Sequence, residues 1–78
     1  MTTQTKVIAI IAEMAGKKPQ EITCATTLKS LPFDSLDKIE AVMALEEAFR
    51  IDMDDEEIEH FTDVQSVVDC VEKVLKEK

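Results

Sequence analysis

The stretch from Phe33 to Arg50 contains neither proline nor glycine and consists mostly of residues that favour a helix. Asp34 is a suitable N-cap, and Asp37 places a second carboxylate in the first turn, where the helix dipole favours negative charge. We therefore predict a helix over residues 34–50. Ser35 then lies just inside the helix start, at a surface corner where a phosphate group is well tolerated.

The apolar residues of this predicted helix fall on two faces when successive residues are placed about 100° apart. The face predicted to meet the core consists of Ile39, Val42, Leu45 and Phe49. A second strip, with Asp37 alongside, consists of Leu36, Glu40, Met43 and Glu47. Apolar anchors among carboxylates are typical of a docking surface for a basic partner. The edge of a core stripe would give the same periodicity, so the pattern alone leaves both interpretations open.

Chain length and charge limit the class of protein. Seventy-eight residues are expected to form one domain, 1–78, with a core that supplies no more than roughly 3–5 kcal/mol of net stability. The formal charge of −8 repels nucleic acid and anionic lipid headgroups, and it favours basic proteins as partners. No segment is apolar enough to span a membrane or to resemble a secretion signal. We expect a cytoplasmic monomer.

The first half of the chain predicts a helix followed by a long loop. The helix runs from about Thr3 to Ala15, and Gly16 stands where a left-handed residue would end it. Residues 17–33 lack helical periodicity and contain two prolines, so a loop is expected there. The loop residues expected to anchor it to the core are Ile22, Leu28 and Leu31.

The second half predicts a short acidic helix near residues 55–61 and a longer C-terminal helix. Thr62 and Gln65 have the spacing of a capping box. After them, one helical face stays apolar through Val64, Val67, Val68, Val71, Val74 and Leu75. The fold predicted for the whole chain is all-α, a small four-helix bundle of three longer helices and one short one, with a long loop between the first two.

The sequence Asp34-Ser35-Leu36-Asp37, followed by Glu40 and by Val42-Met43-Ala44-Leu45-Glu46-Glu47-Ala48-Phe49, resembles the acyl carrier protein family of bacterial fatty acid synthesis. The resemblance implies that Ser35 carries 4′-phosphopantetheine, derived from coenzyme A, and that the following helix is read by partner enzymes. The residues expected at this partner surface are Asp34, Leu36, Asp37, Glu40, Met43, Glu46, Glu47, Asp55 and Glu59. Pro32 and Phe33 depart from the family pattern, which commonly has glycine and a small residue before the motif.

The function implied is that of a carrier of acyl thioesters in fatty acid synthesis. Its expected partners are a phosphopantetheinyl transferase, and synthesis and acyltransferase enzymes with basic docking patches. A core of marginal stability could also part to shelter the acyl chain. The residues expected to line that pocket are Val7, Ile11, Leu28, Ile39, Val42, Leu45, Phe49, Phe61 and Val71. Two alternatives remain: a carrier of polyketide or aminoacyl intermediates, and an unmodified acidic adaptor that uses the same helix without Ser35.

The residues do not indicate an enzyme. Nucleophilic catalysis by Ser35 needs a base within hydrogen-bond reach, and the single histidine, His60, lies in the acidic short helix. Cys24 and Cys70 lack metal-ligand spacing and are expected to be reduced. Residues 52–63 are acidic but lack the glycine that an EF-hand calcium loop requires. We therefore expect neither catalysis nor a metal site.

Overall fold

Helix ends in this chain are set by residues suited to them, as the first helix shows. The computed structural model describes residues 2–77. Helix α1 spans Thr3–Ala15, and the hydroxyl of Thr2 accepts the N–H of Thr5 at 3.1 Å. The helix ends at Gly16, whose φ of 69° lies in the left-handed region that glycine adopts without steric cost. Both predicted ends of this helix are confirmed.

Helix α2 spans Ser35–Phe49 and has the predicted N-cap. Asp34 Oδ1 accepts the Asp37 N–H at 2.8 Å, and Asp37 Oδ2 accepts the Asp34 N–H at 3.2 Å. Each carboxylate therefore satisfies a backbone donor that the helix leaves without a partner. At the other end Arg50 takes a left-handed conformation with φ of 56°, although it is not a glycine.

Helix α3 spans Asp55–Glu59, and helix α4 spans Val64–Glu77. The predicted capping box of Thr62 and Gln65 is wrong. Asp63 is the cap instead, since its Oδ1 accepts the Ser66 N–H at 2.9 Å and Ser66 Oγ accepts the Asp63 N–H at 3.3 Å. The Thr62 carbonyl accepts the N–H of Leu28 at 2.9 Å, a contact with the long loop that local sequence does not reveal.

The four helices enclose one core, with α1 packed against both α2 and α4. Residues 2–77 contain these four α-helices and no β-strand, so the predicted all-α class is confirmed. The largest fully buried side chains are those of Ile11, Leu45, Val7, Val64 and Val71. At the edge of the α1–α2 interface, the ammonium of Lys6 lies 5.1 Å from the centre of the Phe49 ring.

The long loop between α1 and α2 is ordered by the start of α4. It contains two 3₁₀ turns, Pro19–Glu21 and Leu28–Ser30. Ile22 and Leu31 are buried, as predicted, and Leu28 is half-buried. Thr27 forms an isolated antiparallel bridge with Asp63, so the end of the loop is tied to the residue that caps α4. These contacts bring the loop next to the start of α2.

The core face of α2 matches the prediction at Val42, Leu45 and Phe49 but not at Ile39. Ile39, expected in the core, is 57% exposed, so that expectation is wrong. At 100° per residue the inner face is centred between Val42 and Ala41, and Ile39 lies roughly 110° from that centre. The small side chain of Ala41 and the aliphatic stem of Lys38 occupy the inner face. The periodicity of large apolar residues could not predict that Ala41 and Lys38 face the core.

In the part of the chain that the structure describes, no helix combines the length and the apolar character needed to cross a bilayer.

Candidate functional site

Position 35 lies at the N-terminus of α2, between two exposed residues, Asp34 and Leu36. The first helical hydrogen bond runs from the Lys38 N–H to the Asp34 carbonyl at 3.1 Å. The backbone N–H groups of positions 35 and 36 therefore precede the helical ladder and face the helix end. Such an end attracts anions through its N–H groups and its dipole, so a phosphate at this position is well placed.

A cleft of about 830 Å³ opens beside this helix start. We call it the α2 cleft; its lining residues are Thr27, Leu28, Lys29, Phe33, Asp34, Lys38, Glu59, Phe61 and Thr62. Leu28, Phe33 and Phe61 supply its apolar surface, and the other six residues supply hydroxyl and charged groups. Two lysines and two carboxylates give it no net formal charge, in contrast to the −8 of the whole chain.

A second, much smaller cavity of about 20 Å³ lies inside the core. Its lining residues are Ile11, Leu28, Phe33, Lys38, Ala41, Val42, Leu45, Phe61 and Val67. Four of them, Leu28, Phe33, Lys38 and Phe61, also line the α2 cleft. The cavity and the cleft therefore lie next to each other.

The residues predicted to form an acyl-chain pocket are only partly brought together. The five that line the small cavity are Ile11, Leu28, Val42, Leu45 and Phe61. Val7 and Val71 are fully buried and Phe49 is half-buried, but these three do not line it. Ile39 lies on the surface. The residues that the prediction missed are Phe33, Lys38, Ala41 and Val67; of these, only the unusual ring of Phe33 gave a signal in the sequence.

The predicted docking strip is exposed along α2. Leu36 is 62% exposed and Met43 is 60% exposed, and Ile39 lies beside them. Exposed Glu40 and Glu47 belong to the same helix. Three large apolar side chains that one helix leaves more than half exposed favour the docking interpretation over the edge of a core stripe.

A groove of about 560 Å³ runs between this strip and α3. We call it the α2–α3 groove; its lining residues are Lys38, Ile39, Val42, Met43, Glu46, Met53, Asp55, Ile58 and Glu59. Three of the predicted partner-surface acids, Glu46, Asp55 and Glu59, therefore lie in one groove with Met43. Glu46 also has an internal contact, because its Oε2 accepts the Met53 N–H at 2.8 Å and so holds the connector between α2 and α3.

The acidic region does not form a catalytic or metal-binding constellation. His60 is exposed, and its Nδ1 lies 2.7 Å from the carbonyl oxygen of Glu56. Within residues 2–77, no group of three or more His, Cys, Asp or Glu side chains is arranged to hold a metal ion. Neither Cys24 nor Cys70 forms a disulfide.

Comparison with known proteins identifies the kind of site. Residues 5–71 match the family described as "Phosphopantetheine attachment site". The chain belongs to the acyl carrier protein family. The structure of an acyl carrier protein from Thermotoga maritima superposes with a TM-score of 0.78 at 38% sequence identity, covering 92% of this chain and 85% of that one.

Membership of the family defines the cofactor and the broad function. The domain is an attachment site for covalently bound 4′-phosphopantetheine, and the chain is an acyl carrier rather than an enzyme. The start of α2 fits this group, since it offers N–H groups to a phosphate and lies beside a cleft with apolar walls. When bound, phosphopantetheine supplies a terminal thiol that forms thioesters.

Proposed function

We propose that this carrier holds acyl intermediates of fatty acid synthesis as thioesters on phosphopantetheine attached to Ser35. The observation that carries the proposal is the position of residue 35, the first residue of a capped helix flanked by exposed neighbours and next to the α2 cleft. In the motif Asp34-Ser35-Leu36, the serine hydroxyl is the group that can form a phosphate ester. A tethered thiol also raises the local concentration of its cargo at each enzyme that docks.

Attachment requires a phosphopantetheinyl transferase and coenzyme A. The Ser35 oxygen forms a bond to the phosphorus next to the pantetheine half, the pyrophosphate bond breaks, and the adenosine bisphosphate half leaves. The proton of the hydroxyl passes to a base of the transferase or to water. The new phosphodiester is an anion, and the N–H groups at the start of α2 stabilise it.

The exposed strip of α2 is the proposed docking surface. Leu36, Ile39 and Met43 supply apolar contact area, and the carboxylates around them steer enzymes whose docking patches are basic. The proposed partners are the transferase, and synthesis and acyltransferase enzymes that present such patches. The acidic character of this helix, with Glu46 and Glu47 in sequence, supports fatty acid synthesis over a peptidyl pathway.

Mass spectrometry tests the attachment site. Incubation of the wild-type chain with coenzyme A and a transferase is expected to add one phosphopantetheine, and Ser35→Ala is expected to add none. Ser30→Ala is the matched control, because Ser30 is an exposed serine of the loop whose hydroxyl donates to the Thr27 carbonyl at 2.7 Å. Modification of the Ser35→Ala chain, or failure of the wild type with several transferases, would contradict the proposal.

A further inference from the structure

Lys38, in the first turn of α2, borders three separate openings of the structure. It lines the α2 cleft, the small core cavity and the α2–α3 groove. It is also one of only two basic residues, with Arg50, among the twelve acidic ones of segment 34–63. The positive charge of Lys38 does not contribute to apolar packing in the core. We therefore asked which anionic group its ammonium could pair with.

The stem of Lys38 is held by packing. The side chain is half-buried, and it shares the lining of the core cavity with Val42 and Leu45. A lysine in such a position buries its methylene groups and keeps its ammonium at the surface. Part of the rotamer entropy that an ordered ion pair costs has therefore already been lost on folding.

Helix geometry directs this ammonium towards position 35. Residues three apart on a helix are neighbours, and side chains lean towards the N-terminus, so the side chain at position 38 extends over the turn that contains position 35. A lysine reaches far enough to meet a phosphate mounted one turn away. In the first turn of the helix, Asp34 and Asp37 each have an oxygen engaged with a backbone N–H of the cap. Glu59 is the other carboxylate in the lining of the α2 cleft.

We propose that Lys38 is a positioning residue, whose ammonium pairs with the phosphodiester on Ser35 and holds the base of the arm over the α2 cleft. The inference rests on the proposed attachment to Ser35. It gives the arm a preferred direction along Phe33 and Phe61, two of the apolar residues that line the cleft with this lysine. It also offsets the repulsion between the new phosphate and the carboxylates of the helix cap.

Phosphorus NMR of the holo-protein near neutral pH tests the pairing. In Lys38→Met, which keeps the apolar stem, the phosphodiester resonance is expected to shift and to narrow as the base of the arm gains mobility. Lys38→Arg is expected to restore the wild-type shift and linewidth. Raising NaCl from about 0.05 to about 0.5 M is expected to move the wild-type spectrum towards that of Lys38→Met, because salt screens an exposed ion pair.

Two other lysines serve as matched controls. Lys17→Met and Lys76→Met each remove the same charge from an exposed position outside the cleft. Both are expected to leave the phosphorus signal unchanged. An unchanged signal in Lys38→Met, or an equal change in either control, overturns the role of Lys38 while leaving the attachment intact. A wild-type chain that accepts no phosphopantetheine overturns the proposed function itself.

Discussion

The thiol of Cys70 forms a hydrogen bond between two helices. It is 7% exposed, and its thiol donates to Glu57 Oε2 at 2.9 Å, joining α4 to α3. Burial, followed by the hydrogen bond to Glu57 and the charge of that carboxylate, raises the pKa of the Cys70 thiol to about 12 from an ordinary value of 9.0. The thiolate, which is the reactive form, is therefore strongly disfavoured in the folded protein.

We expect Cys70 to resist alkylation by iodoacetamide at about pH 8 and to react fully once the chain is unfolded in urea. Cys24 is half-buried and is expected to react first in the native protein. Peptide mass spectrometry assigns the two sites, with Cys24→Ala and Cys70→Ala as reference variants. Native alkylation of Cys70 at the rate of Cys24 would show that the contact with Glu57 is not maintained in solution.

The same thiol gives the stability a dependence on alkaline pH. Its folded-state pKa is above the unfolded value, so its contribution is fully present below about pH 9 and is lost as the pH rises towards 12. In that window the unfolded chain ionises first, which favours unfolding. Cys70→Ala is expected to lose this part of the pH dependence and Cys24→Ala to retain it, as measured by urea midpoints at several pH values.

At the scale of the helices, α2 presents a core face and the proposed docking strip on adjacent residues. Val42 is 8% exposed and Met43 is 60% exposed. We expect Val42→Ala to lower the free energy of unfolding by about 2 kcal/mol, through lost burial and a residual cavity. Met43→Ala is expected to change it by less than about 0.5 kcal/mol, because the side chain is in water.

Affinity for a partner enzyme should depend on Met43 and not on Val42, the reverse of the pattern expected for stability. Met43→Ala and Glu40→Lys are expected to weaken binding of the apo-protein to a phosphopantetheinyl transferase, measured by calorimetry, whereas folded Val42→Ala binds normally. Added salt should weaken the wild-type interaction more than that of Glu40→Lys, because one steering charge has been reversed in the variant. Wild-type affinity in both surface variants would remove α2 from the docking interface.

Sequence was most informative where a structural feature depends on neighbouring residues. Asp34 with Asp37 identified the start of α2, and Gly16 identified the end of α1, because capping is local chemistry. Periodicity correctly placed Val42 and Leu45 of α2 in the core but misplaced Ile39. The inner face of α2 is partly filled by Ala41 and the stem of Lys38, which a pattern of large apolar residues does not reveal. The motif around Ser35 gave the attachment residue as a hypothesis, and the family match includes this position.

Features that depend on distant parts of the chain could not be predicted. The α2 cleft exists because the loop before α2 is hydrogen-bonded to the start of α4, as in the bond from the Leu28 N–H to the Thr62 carbonyl. That pairing joins segments far apart in sequence, and neither segment shows strand periodicity. The cap of α4 was misassigned for the same reason, because the Gln65 N–H that a Thr62 cap would accept donates instead to the Cys24 carbonyl of the loop at 3.0 Å.

At the scale of the whole molecule, the size of the core cavity determines whether an acyl chain could enter the protein without a change in the helix packing. A cavity of about 20 Å³ is close to the space of one water molecule, far too small for an alkyl chain. Shelter therefore requires the helices to separate around that cavity. The small core keeps the free-energy cost of such an opening low, and the four shared lining residues place the cavity next to the α2 cleft.

We expect an octanoyl chain on the arm to stabilise the protein by roughly 1–3 kcal/mol relative to the free thiol, because it is buried in the folded state and exposed in the unfolded one. Urea unfolding of the two loaded forms measures the difference. Val67→Ile adds one methylene at the cavity wall and is expected to reduce this gain. Val68→Ile, the same change one residue along at a buried position that does not line the cavity, should leave the gain intact. Equal urea midpoints for the octanoyl and free-thiol forms of the wild type would mean that the chain stays in solvent, and then the core cavity has no part in holding cargo.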